Sequence, residues 1–330
     1  MTDFAEISHS TNEDKIEDFV NTVIEADCLR VLPRIPSHSV DMILCDLPYG
    51  TTQNKWDSVI NLNRLWTQYM RIIKKNGVIV LTSQGIFTAK LILSNEKWFK
   101  YKIVWVKSKS TNFLNAKKQP LRKHEDICIF YDKQPTYHPQ MGDGESYDKG
   151  VRKNQLTGSY GDFRPQHVKS EGGRYPNDVI CFAEEDNHDD FVYFKTAESE
   201  GPVYHPTQKP IELGRYLIKT YTNPGDIVLD NACGSGSFLV AAALENRRFI
   251  GIEKNKDVSL HKVQATDYIK VCIDRLRNIQ PAKPNRSTYN NNLTIPDFYS
   301  TIVQEDTIPL YEIRNHQKRK RVDGATNQLD

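Results

Sequence analysis

Residues Val40 to Cys45 read V-D-M-I-L-C and run directly into Asp46-Leu47-Pro48-Tyr49. A short strand with apolar residues at nearly every position is covered on both faces, the condition of a parallel sheet between two layers of helix. Asp46 then stands where that strand ends, and open α/β sheets gather their ligands along that edge. The four residues make an unusual turn: a carboxylate, a proline that stiffens the loop, and an aromatic ring expected to be exposed. Asp46 and the Leu47 or Pro48 carbonyl can each accept a hydrogen bond from an amino group on a flat heterocycle, with Tyr49 stacked on its face. The plainer alternative is an Asp-capped turn with a buried tyrosine.

The chain around this stretch alternates between strand and helix. Thr22–Asp27 reads as a short strand ending in an acid, and Cys28–Leu32 as a brief helix limited by Pro33 and Pro36. Leu62, Leu65, Trp66, Tyr69, Ile72 and Ile73 recur at helical spacing, with Gly77 as the stop. Val78–Leu81, Tyr101–Val106 and Asp126–Tyr131 are strands, and Phe87–Leu93 is a helix, which together give the β-α-β order of a doubly wound sheet. Ile211–Tyr221 and the stretch after Phe238 are further helices, separated by strand Asp226–Asp230 and followed by strand Arg248–Glu253 and a long helix, Val258–Asn278. Between them, residues 136–204 are rich in Gly, Pro, Tyr and charge without regular periodicity. A structureless loop of that length does not belong in a compact core, so the region reads as an insertion.

Composition narrows the class. With 38% hydrophobic and 26% charged residues over 330 positions, the chain folds around a core, as one large α/β domain or two small ones. Six cysteines without a C-x-x-C pair fit reduced thiols rather than a disulfide framework or a metal site. The polar opening and the shortness of the longest apolar run, Phe238–Leu244, lead to the expectation of a cytoplasmic protein without a membrane span.

A second site is legible after Asp230. Asn231-Ala232-Cys233-Gly234-Ser235-Gly236 joins a strand to an apolar helix, and Glu253 closes the following strand, placed to accept bonds from two ribose hydroxyls. Leu239 and Val240 stand where a dinucleotide loop would have its last glycine, so a nucleoside with a short tail suits the loop better than a dinucleotide. Asp27, at another strand end, can take the adenine edge of the same nucleoside.

Together, D-L-P-Y and the downstream N-A-C-G-S-G loop resemble the S-adenosylmethionine-dependent amino-methyltransferases of DNA, in the motif order of the beta class. Supporting stretches are Glu25–Leu29, Asp46–Asp57 and His205-Pro206-Thr207-Gln208-Lys209-Pro210; the likeness runs from about residue 22 to 280. Leu47 stands where proline is commoner, and its carbonyl survives the change. The resemblance implies a doubly wound, mostly parallel Rossmann-like methyltransferase sheet with an inserted target-recognition region. It divides the chain into a polar leader (1–20), a catalytic half (21–135), the insertion (136–204), a cofactor-binding half (205–280) and a tail (281–330). Asp46, Leu47, Pro48 and Tyr49 would be catalytic. S-adenosylmethionine would lie against Asp27, Cys28, Asp230, Ala232, Cys233, Gly234, Ser235, Gly236 and Glu253, with Thr207 and Lys209 on its carboxylate.

The implied reaction is transfer of a methyl group to N6 of an adenine flipped out of double-stranded DNA, without a metal. N4-cytosine methylation, and a non-catalytic DNA-binding protein that keeps the cofactor pocket, are the alternatives. Residues 101–124 hold seven Lys or Arg and no acid. Lys107, Lys109, Lys117, Lys118, Arg122 and Lys123 from that stretch, with Arg152, Lys153, Arg164 and Arg174 from the insertion, are the expected DNA contacts. A cognate restriction endonuclease is an implied partner, and homodimerisation stays open.

Overall fold

Strand β2 (Val40–Cys45), the apolar run that ends at Asp46, lies near the middle of an eight-stranded sheet. The computed structural model describes residues 14–52, 57–151, 166–180, 196–205, 207–254 and 266–279. Strand β1 (Thr22–Glu25) and helix α1 (Cys28–Val31) precede β2; α2 (Leu62–Ile72), β3 (Ile73–Ser83) and α3 (Ile86–Ser94) follow it. The long strands β4 (Phe99–Thr111) and β5 (Arg122–Phe130) form a hairpin. Five short strands come next: β6 (Gly142–Asp143), β7 (Tyr147–Val151), β8 (His167–Ser170), β9 (Gly173–Arg174) and β10 (Val179–Ile180). The chain then runs through α4 (Ala197–Glu200), α5 (Ile211–Tyr221), β11 (Ile227–Asp230), α6 (Ser237–Leu244), β12 (Arg248–Glu253) and α7 (Tyr268–Arg277).

The strand order is β1-β12-β11-β2-β3-β5-β4-β10, with β5 antiparallel to both its neighbours and the other pairs parallel. From β2 the chain moves one way along the sheet to β3, and from β11 it moves the other way to β12. The boundary between β2 and β11 is therefore a topological switch point, where loops diverge to opposite faces and leave a crevice.

Both faces of β2 are covered, as its composition requires. Met42 and Leu44 join a core with Leu213, Leu217, Phe238 and Cys272 of α5, α6 and α7. Ile43 and Cys45 point the other way, into a core with Val31, Leu65, Tyr69 and Phe87 of α1, α2 and α3. Burying each large aliphatic or aromatic side chain contributes about 1.5–3 kcal/mol, so these layers fix the register of the strand that carries Asp46.

Several elements differ from their sequence-based bounds. Helix α2 starts where the Asn61 side chain accepts from the Arg64 amide at 3.0 Å, but it stops at Ile72 and passes straight into β3. Gly77 is not its stop; a Cβ there would come within 2.7 Å of the Asp41 carbonyl, so glycine permits a close backbone approach. β4 and β5 run several residues further at the end away from the core than expected, because they pair with each other beyond the sheet's edge. Phe19 is 4% exposed and Ile16 and Val20 pack against the core, so the fold takes in residues before 21. Within the insertion, β6 pairs with β9 and β7 with β8, and β10 returns to the sheet beside β4. Cys28, Cys45, Cys128, Cys233 and Cys272 are buried free thiols, and Cys181 lies outside the described residues. Among the described residues no helix is long and apolar enough to cross a membrane.

Candidate active site at the ends of β2 and β11

Parallel pairing sets Ile43 level with Leu229, so the chain leaves β2 at Asp46 and β11 at Asp230 on the same edge, one strand apart. The two loops share an electrostatic field. Burial pushes the Asp230 carboxyl up to about 7, with Asp46 and Glu253 adding to the shift by repulsion. Gln208 and Lys209 join the loops physically. Lys209 Nζ reaches Asp46 Oδ2 at 2.7 Å, while its neighbour Gln208 accepts a hydrogen bond from Ser235 Oγ at 3.1 Å.

Asp46 is held from three sides. Lys209 takes Oδ2, and Oδ1 accepts from the Tyr49 hydroxyl at 2.7 Å and from Thr82 Oγ1, on the adjacent strand β3. Behind them Glu125 of β5 receives Lys209 at 3.2 Å and Lys107 at 3.1 Å. Burial alone would raise the Glu125 carboxyl; the two ammonium groups keep it lowered instead. For Lys209, burial disfavours the charge, but Asp46 and Glu125 outweigh it and hold the group above its ordinary range. The cluster thus pairs two carboxylates with two lysines. A carboxylate has about four acceptor positions, so three described donors leave Asp46 room for one more N–H.

The Tyr49 ring is not the exposed face expected from sequence. It is half-buried, stacked on Phe87 with centroids 5.2 Å apart, and Lys209 Nζ lies over it at 5.5 Å. Burial, then the Asp46 and Glu125 charges, raise the phenol well above its usual range, so it stays neutral and donates. The loop after Tyr49 is fixed by Asp57, whose carboxylate accepts from the amides of Gly50, Thr51 and Thr52 at 2.8, 2.9 and 2.7 Å.

The two glycines of the second loop do different work. Both have positive φ, 50° at Gly234 and 80° at Gly236. A Cβ at Gly236 would collide with Cys272 Sγ at 2.3 Å, so that glycine lets α7 pack closely. A Cβ at Gly234 would meet only the His205 ring at 3.9 Å, so its outer side is open. Glu253 Oε2 accepts from the Gly234 amide at 2.8 Å, and Glu253 pairs in register with Glu25, two residues before Asp27. Arg275 of α7 braces the loop from behind through the Ser235 carbonyl at 2.6 Å. A cavity of about 390 Å³ lies on that rear side, lined by α4, α6, α7 and the start of α5. It includes Arg275 and Gln208 but none of the residues around Asp46.

Other expected positions fall elsewhere. Lys209 faces Asp46 and Glu125, and Thr207 bonds the His205 ring through its amide and hydroxyl at 3.2 and 3.1 Å. Cys28 is 6% exposed, and burial pushes its thiol up to about 11, so its side chain belongs to the core. Cys233 is likewise buried, against Cys272. Asp27 caps α1 through the Leu29 amide at 3.0 Å and pairs with Lys254 at 3.1 Å. Lys107 is a correction: at 7% exposed and bound to Glu125 it cannot meet phosphates, because β4 turns it inward. Lys109, Lys117, Lys118, Arg122 and Lys123 are exposed on the hairpin. Arg174 is occupied within the insertion, on Ser170 and stacked over Tyr147 at 4.9 Å. Arg152, Lys153 and Arg164 lie outside the described residues.

Thr82, Glu125 and Arg275 are not among the residues the sequence points to, while Asp57 and Gln208 fall within the supporting stretches without an assigned role. Glu125 carries a weak signal as the first acid after the basic stretch.

The family model described as DNA methylase matches residues 40–261, more than half of the chain and both loops. The chain belongs to the DNA methylase family. Among its relatives, Type II methyltransferase M.HinfI of Haemophilus influenzae is 25% identical over 305 residues, covering 83% of this chain and 72% of that protein. DNA adenine methyltransferase YhdJ of Escherichia coli (strain K12) is 29% identical over 266 residues, covering 77% of this methylase and 82% of the relative. The crystal structure of the M1.HpyAVI–SAM complex aligns with a TM-score of 0.49 at 20% identity, over 78% of this methylase and 99% of that chain.

Proposed function

We propose that this methylase transfers a methyl group from S-adenosylmethionine to N6 of an adenine flipped out of duplex DNA. The observation that carries the reading is the meeting of the Asp46 and Gly234 loops at one switch point, bridged by Gln208 and Lys209.

The residues present suit the cofactor. Gly234 has an open outer side, and Glu253, a carboxylate at the next strand end that holds the Gly234 amide, is the acceptor placed for ribose hydroxyls. Burial raises the Asp230 carboxyl and the charges of Asp46 and Glu253 add to the rise, so negative charge gathers where a cationic ligand would sit. Ala232, Ser235 and Asp27 complete the wall around it. When bound, the cofactor supplies an electrophilic methyl on a sulfonium that leaves as a neutral thioether.

The chain's own task is to hold the amine. The N6 lone pair of adenine is delocalised into the ring and is a poor nucleophile. Hydrogen bonds from its two N–H groups to Asp46 and to the Leu47 or Pro48 carbonyl favour a pyramidal nitrogen and stabilise the positive charge that develops there. Lys209, Thr82 and Tyr49 fix the carboxylate in place, so no reorganisation is needed as charge appears. The proton departs after the methyl arrives, and a strong base is not required. The insertion, 136–204, lies beyond the catalytic half and reads the target site; the YhdJ name, with its adenine, supports the base assignment. The same reading extends to restriction–modification, with a cognate endonuclease blocked by methylation of the shared site.

The test is incubation of unmodified genomic DNA with purified protein and S-adenosylmethionine, followed by digestion and mass analysis of nucleosides. N6-methyldeoxyadenosine supports the proposal, N4-methyldeoxycytidine redirects it to cytosine, and neither product despite cofactor binding leaves a non-catalytic DNA-binding protein.

A further inference from the structure

The β4–β5 hairpin rises from the same rim as Asp46. Thr82, which donates to Asp46, is level with Ile127 of β5, and Glu125 and Trp105 form the second rung outward. Beyond that rung the hairpin leaves the sheet and continues to Thr111 and Arg122. At about 3.4 Å per residue, the three steps from Glu125 to Arg122 carry the last pair, at the base of the tip, roughly 10 Å beyond Glu125.

The tip is a folded turn with its largest side chains outward. Asn112 adopts φ 70° and accepts from Asn115 Nδ2 at 2.7 Å; Ala116 and Lys118 amides close on Phe113 and Asn115 carbonyls at 3.1 and 2.8 Å. Phe113 is 75% and Leu114 83% exposed. Gln84 braces the stem, donating to the His124 carbonyl at 2.8 Å and accepting from Arg122 at 3.2 Å. Five exposed cations, Lys109, Lys117, Lys118, Arg122 and Lys123, surround Phe113 and Leu114, with the less exposed Leu121 at the base, and residues 107–124 contain no acid.

Two large apolar side chains held in water on a braced, wholly basic projection match a polyanion with an apolar interior, and duplex DNA is one. Side chains of this kind enter between base steps in proteins that unstack DNA. We propose that Phe113 and Leu114 are a wedge that enters the duplex beside the target and fills the space left by the flipped base, while the flanking cations hold the phosphates. The inference rests on the methyl-transfer reading, since only chemistry on an extruded base needs such a filler.

The test uses the full-length protein and a duplex carrying the site found by sequencing modified bases in exposed genomic DNA. The Phe113→Ala/Leu114→Ala double variant is compared with wild type in single-turnover methylation of a normally paired target and of the same target opposite an abasic position. Both substitutions are at the surface, and an unchanged thermal midpoint confirms the fold. The wedge predicts a loss of roughly 10–100-fold on the paired target and near wild-type rate opposite the abasic position, where opening costs little. An unchanged rate on the paired target, or an equal loss on both substrates, overturns it. Wild-type protein that methylates neither substrate overturns the methyl-transfer reading and the wedge with it.

Discussion

Lys209 is buried in a place where burial alone would strip its charge, and two carboxylates restore it. Removing the ammonium leaves Asp46 without its counter-charge and Glu125 with Lys107 alone. Lys209→Met should therefore cost about 3 kcal/mol of stability, as breaking a buried pair does, and slow methyl transfer while leaving cofactor affinity unchanged. Urea unfolding and calorimetry read the two effects separately; a tenfold loss of cofactor affinity would move Lys209 back to the cofactor carboxylate. Glu253→Ala should act in the opposite sense and weaken S-adenosylmethionine binding by about 1.5–3 kcal/mol, the value of hydrogen bonds to a charged group. Unchanged affinity by calorimetry would remove the ribose assignment.

At the scale of elements, the Asp46 loop depends on a carboxylate eleven residues downstream. Burial would raise the Asp57 carboxyl, but the amides of Gly50, Thr51 and Thr52 hold it lowered. Its stabilising effect is present above the ordinary aspartate pKa and fades as pH falls through the lowered value. Asp57→Ala should reduce stability at pH 7 by about 2–3 kcal/mol, with the deficit shrinking under acid unfolding; an equal deficit at pH 7 and pH 2.5 would contradict the assignment. The strands and helices around this loop were legible because apolar residues at every position, or at helical spacing, admit few placements. Helix α5 was read at its observed bounds, yet its cap was not, since Glu200 reaches the Ile211 and Glu212 amides from eleven residues away. Thr82 and Glu125 are hidden for the same reason: pairing of strands β3 and β5 brings them to Asp46. Tyr49 is less exposed than its sequence suggests because its partner, Phe87, is supplied by helix α3.

Across the whole molecule, the central crevice buries an acid, Asp230, beside the charges of Asp46 and Glu253, and the burial has a consequence for stability. Asp230 titrates near 7 in the fold and near 4 when unfolded, so the native state binds more protons between those values and stability falls as pH rises through them. Asp230→Asn should remove roughly 3 kcal/mol of that fall, measured as the difference between wild type and variant in urea unfolding at pH 4.5 and 7.5. Parallel slopes would show that Asp230 ionises freely. The order of the two loops along the chain was plain from their motifs, but their meeting depends on β2 and β11 being neighbours, which hydrogen-bond register alone discloses. That meeting is also what methyl transfer needs. It is tested most directly by single-turnover transfer of labelled methyl from saturating S-adenosylmethionine to unmodified duplex DNA, comparing wild type with Asp46→Ala. The arrangement predicts that wild type labels DNA and that the variant, still binding cofactor, loses at least about a hundredfold in rate; labelling by the variant at near wild-type rate would contradict it.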